Sequence, residues 1–123
     1  MMRQGAGRIV KIASTVGLAA MRLQSPFVAA KTGFIHLARS MALELAPKGI
    51  LANAVAPGST LTAVIRKLFY GEGGSFQRHR RGSLKHVPLV HPGEPEEIAQ
   101  GVLLLAAPAN SFVNSHCLTI ARG

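Results

Sequence analysis

A single cysteine, Cys117, stands in a chain of 123 residues, so an internal disulfide is impossible. A reducing compartment, and hence a cytoplasmic location, is the expectation. Apolar runs fall far short of the roughly 18 residues that suggest a membrane span, so no membrane partner is expected. The five histidines show no metal-ligand spacing, and His36 reads as a helix-face residue. Acidic residues are scarce, five against 14 Lys and Arg, which gives a net charge of +9 and a surface that attracts polyanions. The basic residues concentrate in Arg78-His79-Arg80-Arg81, with Lys85 and His86 close behind. No aromatic side chains interleave with them as stacking platforms, so a solvated loop is expected there rather than a nucleic-acid site.

What is present is a globular composition, 48% hydrophobic and 15% charged, with room for one domain at about 100–200 residues per domain. Arg3, Arg8 and Lys11 precede the apolar stretch Ile12 to Ala20 in the manner of a targeting segment. Ser14, Thr15 and Gly17 interrupt that stretch, and a strand running into a loop explains it better.

Strands alternate with helices along the chain. Arg8 to Ala13 is apolar and partly β-branched, as a short buried strand requires, and Ser14 to Gln24 reads as a loop. Ser25 is placed to cap a helix whose first residue is Pro26 and which runs to about Ala46, where Pro47-Lys48-Gly49 stops it. Phe27, Lys31, Phe34, Ala38, Met41, Ala42 and Leu45 recur on one face of it, predicting a largely apolar stripe. Ile50 to Ala56 forms a second buried strand ended by Pro57-Gly58. Leu61 to Tyr70 has a helical pattern, and residues 71–92 read as a mobile lobe. Glu94-Pro95-Glu96-Glu97 opens a further helix through Ala107, with its acids complementing the helix dipole, and His116 to Ala121 is a third strand. This order implies an α/β fold with a parallel sheet and right-handed crossovers.

The segment Gly7-Arg8-Ile9-Val10-Lys11-Ile12-Ala13-Ser14-Thr15-Val16-Gly17, followed by Ser25-Pro26-Phe27-Val28-Ala29-Ala30-Lys31, resembles the catalytic stretch of the short-chain dehydrogenase/reductases. Phenylalanine replaces the family's tyrosine at Phe27. Ala42-Leu43-Glu44-Leu45-Ala46-Pro47-Lys48-Gly49-Ile50-Leu51-Ala52-Asn53-Ala54-Val55-Ala56-Pro57-Gly58 continues the resemblance, as do Gly93-Glu94-Pro95-Glu96-Glu97-Ile98-Ala99 and Leu118-Thr119-Ile120. Within the family, Pro57-Gly58-Ser59-Thr60-Leu61-Thr62 and Val87-Pro88-Leu89 look most like the 2,3-dihydro-2,3-dihydroxybenzoate dehydrogenases of siderophore biosynthesis.

The resemblance implies the C-terminal half of a Rossmann-like doubly wound sheet, about three strands with two main helices, in a single partial domain. It also implies NAD or NADP as cofactor. Ser14 would hold the substrate oxygen and Lys31 would touch the nicotinamide ribose. Pro57, Gly58 and Thr62 would line the nicotinamide and phosphate side. Phe27 supplies no proton donor. The family's Gly-rich dinucleotide loop has no counterpart, because Gly71-Glu72-Gly73-Gly74 neither follows a strand nor opens a helix. The first strand is left with an unpaired edge, which needs a partner or invites aggregation. Asn53 reads as satisfying backbone groups rather than a ligand, and Tyr70, the sole tyrosine, as a helix-end aromatic.

Two functions follow as expectations. One is an oxidoreductase-family chain acting on a small molecule, catalytically impaired by Phe27 and the missing loop. The other is a non-catalytic interaction module, associating through the long helix 25–46 with another copy or with a complete dehydrogenase, or binding polyanions through its charge.

Overall fold

The computed structural model describes residues 1–70 and 91–121. Three strands, β1 (Gly7–Ile12), β2 (Ile50–Pro57) and β3 (Cys117–Ile120), form one parallel sheet in that order. β1 meets β2 from Gly7 opposite Ile50 to Ile12 opposite Val55, and β2 meets β3 from Ala54 opposite Cys117 to Pro57 opposite Ile120. Parallel neighbours require long crossovers. Helix α1 (Ser25–Leu45) supplies the first, and α2 (Ala63–Tyr70) and α3 (Pro95–Ala106) lie within the second.

The faces follow from the strand alternation. Cys117 packs on the buried cluster Ala13, Ile35, Ala38 and Ala54, which includes α1. A Cβ on Gly101 of α3 would run into Ile120 and Leu118. Adjacent strand residues point to opposite faces, so α1 and α3 cover opposite sides and the sheet is doubly wound. β2 is buried on both, with Ala52, Ala54, Val55 and Ala56 all fully inaccessible, hence its near-continuous apolar run. Ala52, Ala54 and Ala56 face α1, where Ala38 and Ala42 are also buried and Ile35 fills the gap. Small residues on both surfaces let helix and sheet approach closely.

The stripe expected on α1 is rotated by about one residue. Ile35, Ala38 and Ala42 are the buried positions, whereas Phe27 and Phe34 are 46% and 40% exposed. The reason is geometric. The helix lies over β2, and its aromatic side overhangs β1, beyond which the described residues offer no surface. Ser25 is not the cap either. Gln24 occupies that position without a capping side-chain bond, and Ser25 is already helical with Pro26 in the first turn. At α3 the expected acidic first turn is present, and Glu94 N–H donates to Glu97 Oε2 at 2.7 Å. The strands and helices otherwise start or stop within a residue or two of expectation. The lobe expected at 71–92 lies outside the described residues except for His91 and Pro92, as do the basic run and Gly71–Gly74.

Buried polar groups are tied by asparagines. Asn53, 1% exposed on β2, donates from Nδ2 to Val113 O and accepts from His116 N–H, both at 2.9 Å. It satisfies backbone groups, as its place on an apolar strand suggests. Asn114 accepts from Ala52 N–H at 2.8 Å and donates to Ala42 O at 3.2 Å, linking β2 to the end of α1. The turn between them strains Ser115, whose φ of 62° lies in the left-handed region. Ser115→Gly removes that strain and is expected to raise stability by about 1 kcal/mol, read as a higher urea midpoint at unchanged slope.

Candidate active site

The candidate site residues Ser14, Pro57, Gly58 and Thr62 end or follow β1 or β2, and Phe27 and Lys31 stand near that end on α1, the side of an open α/β sheet where ligands bind. Ser14 follows β1 in extended backbone, and its Oγ accepts from Val16 N–H at 3.4 Å, opening the short 3-10 turn Thr15–Gly17. The same Oγ lies 3.5 Å from Pro57 O at the end of β2. This turn rests on α1. A Cβ at Gly17 would come within 2.8 Å of the Lys31 backbone, and Thr32 Oγ1 donates to Gly17 O at 3.1 Å. Glycine is needed there because the loop crosses the helix at backbone contact.

Lys31 is the centre of the arrangement. Its Nζ donates to Ile12 O at 3.2 Å and lies 5.6 Å from the Phe27 ring centre and 5.4 Å from that of Phe34. Lys11 Nζ lies 5.7 Å from the Phe34 ring. The ammonium thus sits against two aromatic faces, an arrangement worth about 0.5–1 kcal/mol per pair at exposed sites. Among the described residues no ion pair neutralises Lys11 or Lys31, whereas Arg66 pairs with Glu94 at 3.3 Å. The site is therefore cationic, with two hydrogen-bonding side chains, Ser14 and Lys31, and the apolar Phe27 ring beside the ammonium.

Phe34 and Lys11 were not among the expected site residues. Their signal was present all the same. Phe27, Lys31 and Phe34 share helical spacing, and Lys11 alternates with Ile9 and Ala13, which puts it on the α1 side of β1.

Pro57 is the last residue of β2, and Gly58 and Thr62 follow it, but their own groups are largely engaged. Gly58 N–H donates to Ile120 O at 2.9 Å, and a Cβ there would meet Ala121. Thr62 Oγ1 accepts from Ile65 N–H at 3.3 Å, at the start of α2. The strand bridge of Thr60 with Gly93 holds this segment in place. Tested against a nicotinamide cofactor, the described residues fit one end only. Ser14 and Lys31 present hydroxyl and ammonium toward the carboxyl end of the sheet. Where a pyrophosphate needs a Gly-rich turn opening a helix, the only glycine of the loop after β1, Gly17, is packed on α1.

Cys117 is no nucleophile of this site. It belongs to the core cluster, and burial pushes its thiol up from the ordinary 9.0, with the Arg39 charge opposing. The thiol therefore favours the neutral form in the fold. Stability associated with it is complete below that value and declines as the pH rises toward the raised one. Iodoacetamide at pH 8 is expected to label Cys117 more slowly in the native chain than in urea, with equal rates contradicting the burial.

Comparison with known proteins agrees with this geometry. The family model described as enoyl-(acyl carrier protein) reductase matches residues 1–123. The 3-oxoacyl-[acyl-carrier-protein] reductase FabG of Vibrio harveyi is 35% identical over 123 residues, covering 100% of this chain and 48% of that protein. The FabG of Thermotoga maritima is 36% identical, with 100% and 47% covered. Among solved structures, ElxO with NADP bound superposes with a TM-score of 0.85 at 32% identity, over 98% of this chain and 47% of the other. A tyrosine-to-phenylalanine variant of ElxO with NADPH bound gives 0.85 at 33%, over 97% and 46%. The chain spans about half the length of the relatives it matches. Sequence motif, sheet order and relatives lead to one conclusion: the chain belongs to the short-chain dehydrogenase/reductase family.

Proposed function

We propose that this chain carries the proton-relay side of an NAD(P)-dependent oxidoreductase acting on a carbonyl or alcohol, and that it has lost the relay itself. The observation that carries this reading is Phe27, its ring centre 5.6 Å from Lys31 Nζ, at the position of the family's tyrosine. A bound nicotinamide would supply hydride to a carbonyl carbon. The oxygen then needs a proton. Ser14 can hold that oxygen and Lys31 can bias a neighbouring phenol toward ionisation, but the phenyl ring has no proton to give. Loss of a positioned acid or base costs about 10²–10⁴-fold in rate. The ElxO variant that holds NADPH despite a tyrosine-to-phenylalanine change supports treating cofactor retention and proton relay as separable.

The FabG relatives favour a 3-oxoacyl thioester as substrate, and the finer resemblance at Pro57–Thr62 favours a dihydrodiol. Its other part, Val87–Leu89, lies outside the described residues. Purified chain should show no NADPH binding by fluorescence and no turnover across 3-oxoacyl thioesters, simple ketones and dihydrodiols. Phe27→Tyr should remain equally inactive in the isolated chain. Micromolar binding, or turnover from that one change, overturns the reading.

A second reading, an interaction module, is favoured by the apolar residues α1 leaves exposed, including Leu43 at 78% as well as Phe34 and Leu37. A monodisperse monomer in light scattering that binds no hydrophobic dye would sink it. Its polyanion form rests on charge alone and requires affinity that collapses with salt. Absence of binding at low salt ends it.

A further inference from the structure

The loop between Ser14 and α1 holds apolar side chains in water. Leu18 and Met21 are half-exposed, and Leu23 is 98% exposed. A single exposed apolar residue is ordinary on a protein surface, but here three stand within six residues, and Phe27 follows Leu23 by one helical turn. Of the six side chains Leu18 to Leu23, only Arg22 is polar, and it is exposed as well. Leu23 is also strained, because its φ of 61° lies in the left-handed region that residues with a side chain avoid. A side chain standing in solvent gives no packing to offset that strain. Strain kept without a packing gain directs attention to function at the strained residue.

Both ends of the loop are fixed beside the candidate site. Gly17 rests on the Lys31 backbone, and Gln24 O accepts from Val28 N–H at 2.9 Å in the first turn of α1. No loop residue is more than three positions from one of these anchors, which keeps each within about 11 Å of it along the chain. The apolar side chains therefore stay near Ser14 and Phe27.

We propose that Leu18, Met21 and Leu23 take the apolar chain of the substrate, and so select a 3-oxoacyl thioester with a long acyl chain over a dihydrodiol. The inference deepens the oxidoreductase reading above and rests on it. A dihydrodiol presents hydroxyl groups that need acceptors as well as donors, and the one polar side chain of the loop, Arg22, only donates. An acyl chain asks for apolar area alone. Arg22 and Lys31 meanwhile supply positive charge of the sign that a phosphate-bearing thioester carrier requires.

The test is calorimetric titration of the purified full chain with butyryl- and decanoyl-coenzyme A, without cofactor. Each fully buried CH₂ multiplies affinity about fourfold, so even partial burial of the longer chain should make decanoyl-coenzyme A bind at least about tenfold more tightly. Leu23→Gly should reduce that ratio to below about threefold and leave butyryl-coenzyme A unchanged. The same variant should have a higher urea midpoint, because glycine accepts the backbone angle. A merely structural Leu23 would lower the midpoint instead. Phe112→Ala removes an equally bare side chain from the segment before β3, and should keep the ratio intact. Equal affinity for the two thioesters, weakening of both alike in Leu23→Gly, or the same loss in Phe112→Ala would each overturn the proposal. Leu23-dependent binding to phosphatidylglycerol vesicles, or Leu23-dependent dimerisation, without discrimination between the thioesters would assign the loop to a membrane or a second copy and overturn it too. Chain-length selectivity that persists while Phe27→Tyr leaves NADPH oxidation unchanged, in the chain completed with the unmatched part of the Vibrio harveyi reductase, would uphold the acyl-chain site and overturn the oxidoreductase reading instead.

Discussion

Phe27→Tyr, introduced into this chain completed with the part of the Vibrio harveyi reductase that it does not match, is expected to raise turnover of a 3-oxoacyl thioester by about 10²–10⁴-fold. The substitution adds one oxygen to a ring that is 46% exposed and already lies beside Lys31. It neither fills a cavity nor buries an unpaired group, so the fold should tolerate it. The new hydroxyl would be carried by a ring whose centre is 5.6 Å from the ammonium. In the isolated chain the same change should do nothing, because no described residue seats a pyrophosphate. The two requirements are independent, one a side-chain hydroxyl and the other the part of the relatives' fold beyond this match, and supplying either alone leaves the other limiting. Steady-state NADPH oxidation by four samples, with and without the substitution and with and without the complement, separates them. Equal rates with and without the hydroxyl in the complete assembly would show that Phe27 is not the missing relay.

Asn53→Leu is expected to destabilise the fold by about 2–5 kcal/mol, a large share of the roughly 5–15 kcal/mol that holds a domain together. Leucine shares asparagine's γ-branched shape but is larger, so no cavity forms and overpacking at this buried position adds to the cost. The cost arises from His116 N–H and Val113 O, which both lose the Asn53 amide. Val113 O keeps a long contact to Asn110 Nδ2 at 3.4 Å, so the orphaned His116 N–H carries more of the loss. Urea unfolding should show a lower midpoint at unchanged slope. A change below about 1 kcal/mol would mean that water or a shifted strand replaces both bonds. The variant leaves Ser14, Phe27 and Lys31 untouched, which separates a folding defect from a chemical one.

Much of the architecture was legible in order and period. Apolar β-branched runs separated by a long amphipathic pattern gave the parallel sheet and its crossovers, and Pro57-Gly58 marked where β2 stops. Ser14, Phe27 and Lys31 were legible as a set through the resemblance of their stretch to the family's catalytic motif, and the structure places them near one end of β1. Three features were not legible, each for a physical reason. The buried stripe of α1 centres on Ile35 because β2 presents alanines to it, a pairing known only once the helix lies across the sheet. The start of α1 went to Gln24 because Leu23, with φ of 61°, turns the chain before Ser25 can cap it. Lys31 turned toward Ile12 O because an unpaired strand edge offers a carbonyl there, and nothing local to the helix sequence encodes that acceptor. Thr62 Oγ1 also accepts from Ile65 N–H, a local helix-capping role that its position before an apolar run could have signalled.

The most direct measurement is NADPH oxidation by the completed assembly carrying the natural Phe27, made after fluorescence shows that the cofactor is bound. The expected result is saturable binding with oxidation at least about a hundredfold slower than for the Phe27→Tyr assembly. Oxidation by the Phe27 assembly within tenfold of that variant would contradict the account, and would place the proton donor elsewhere in the site.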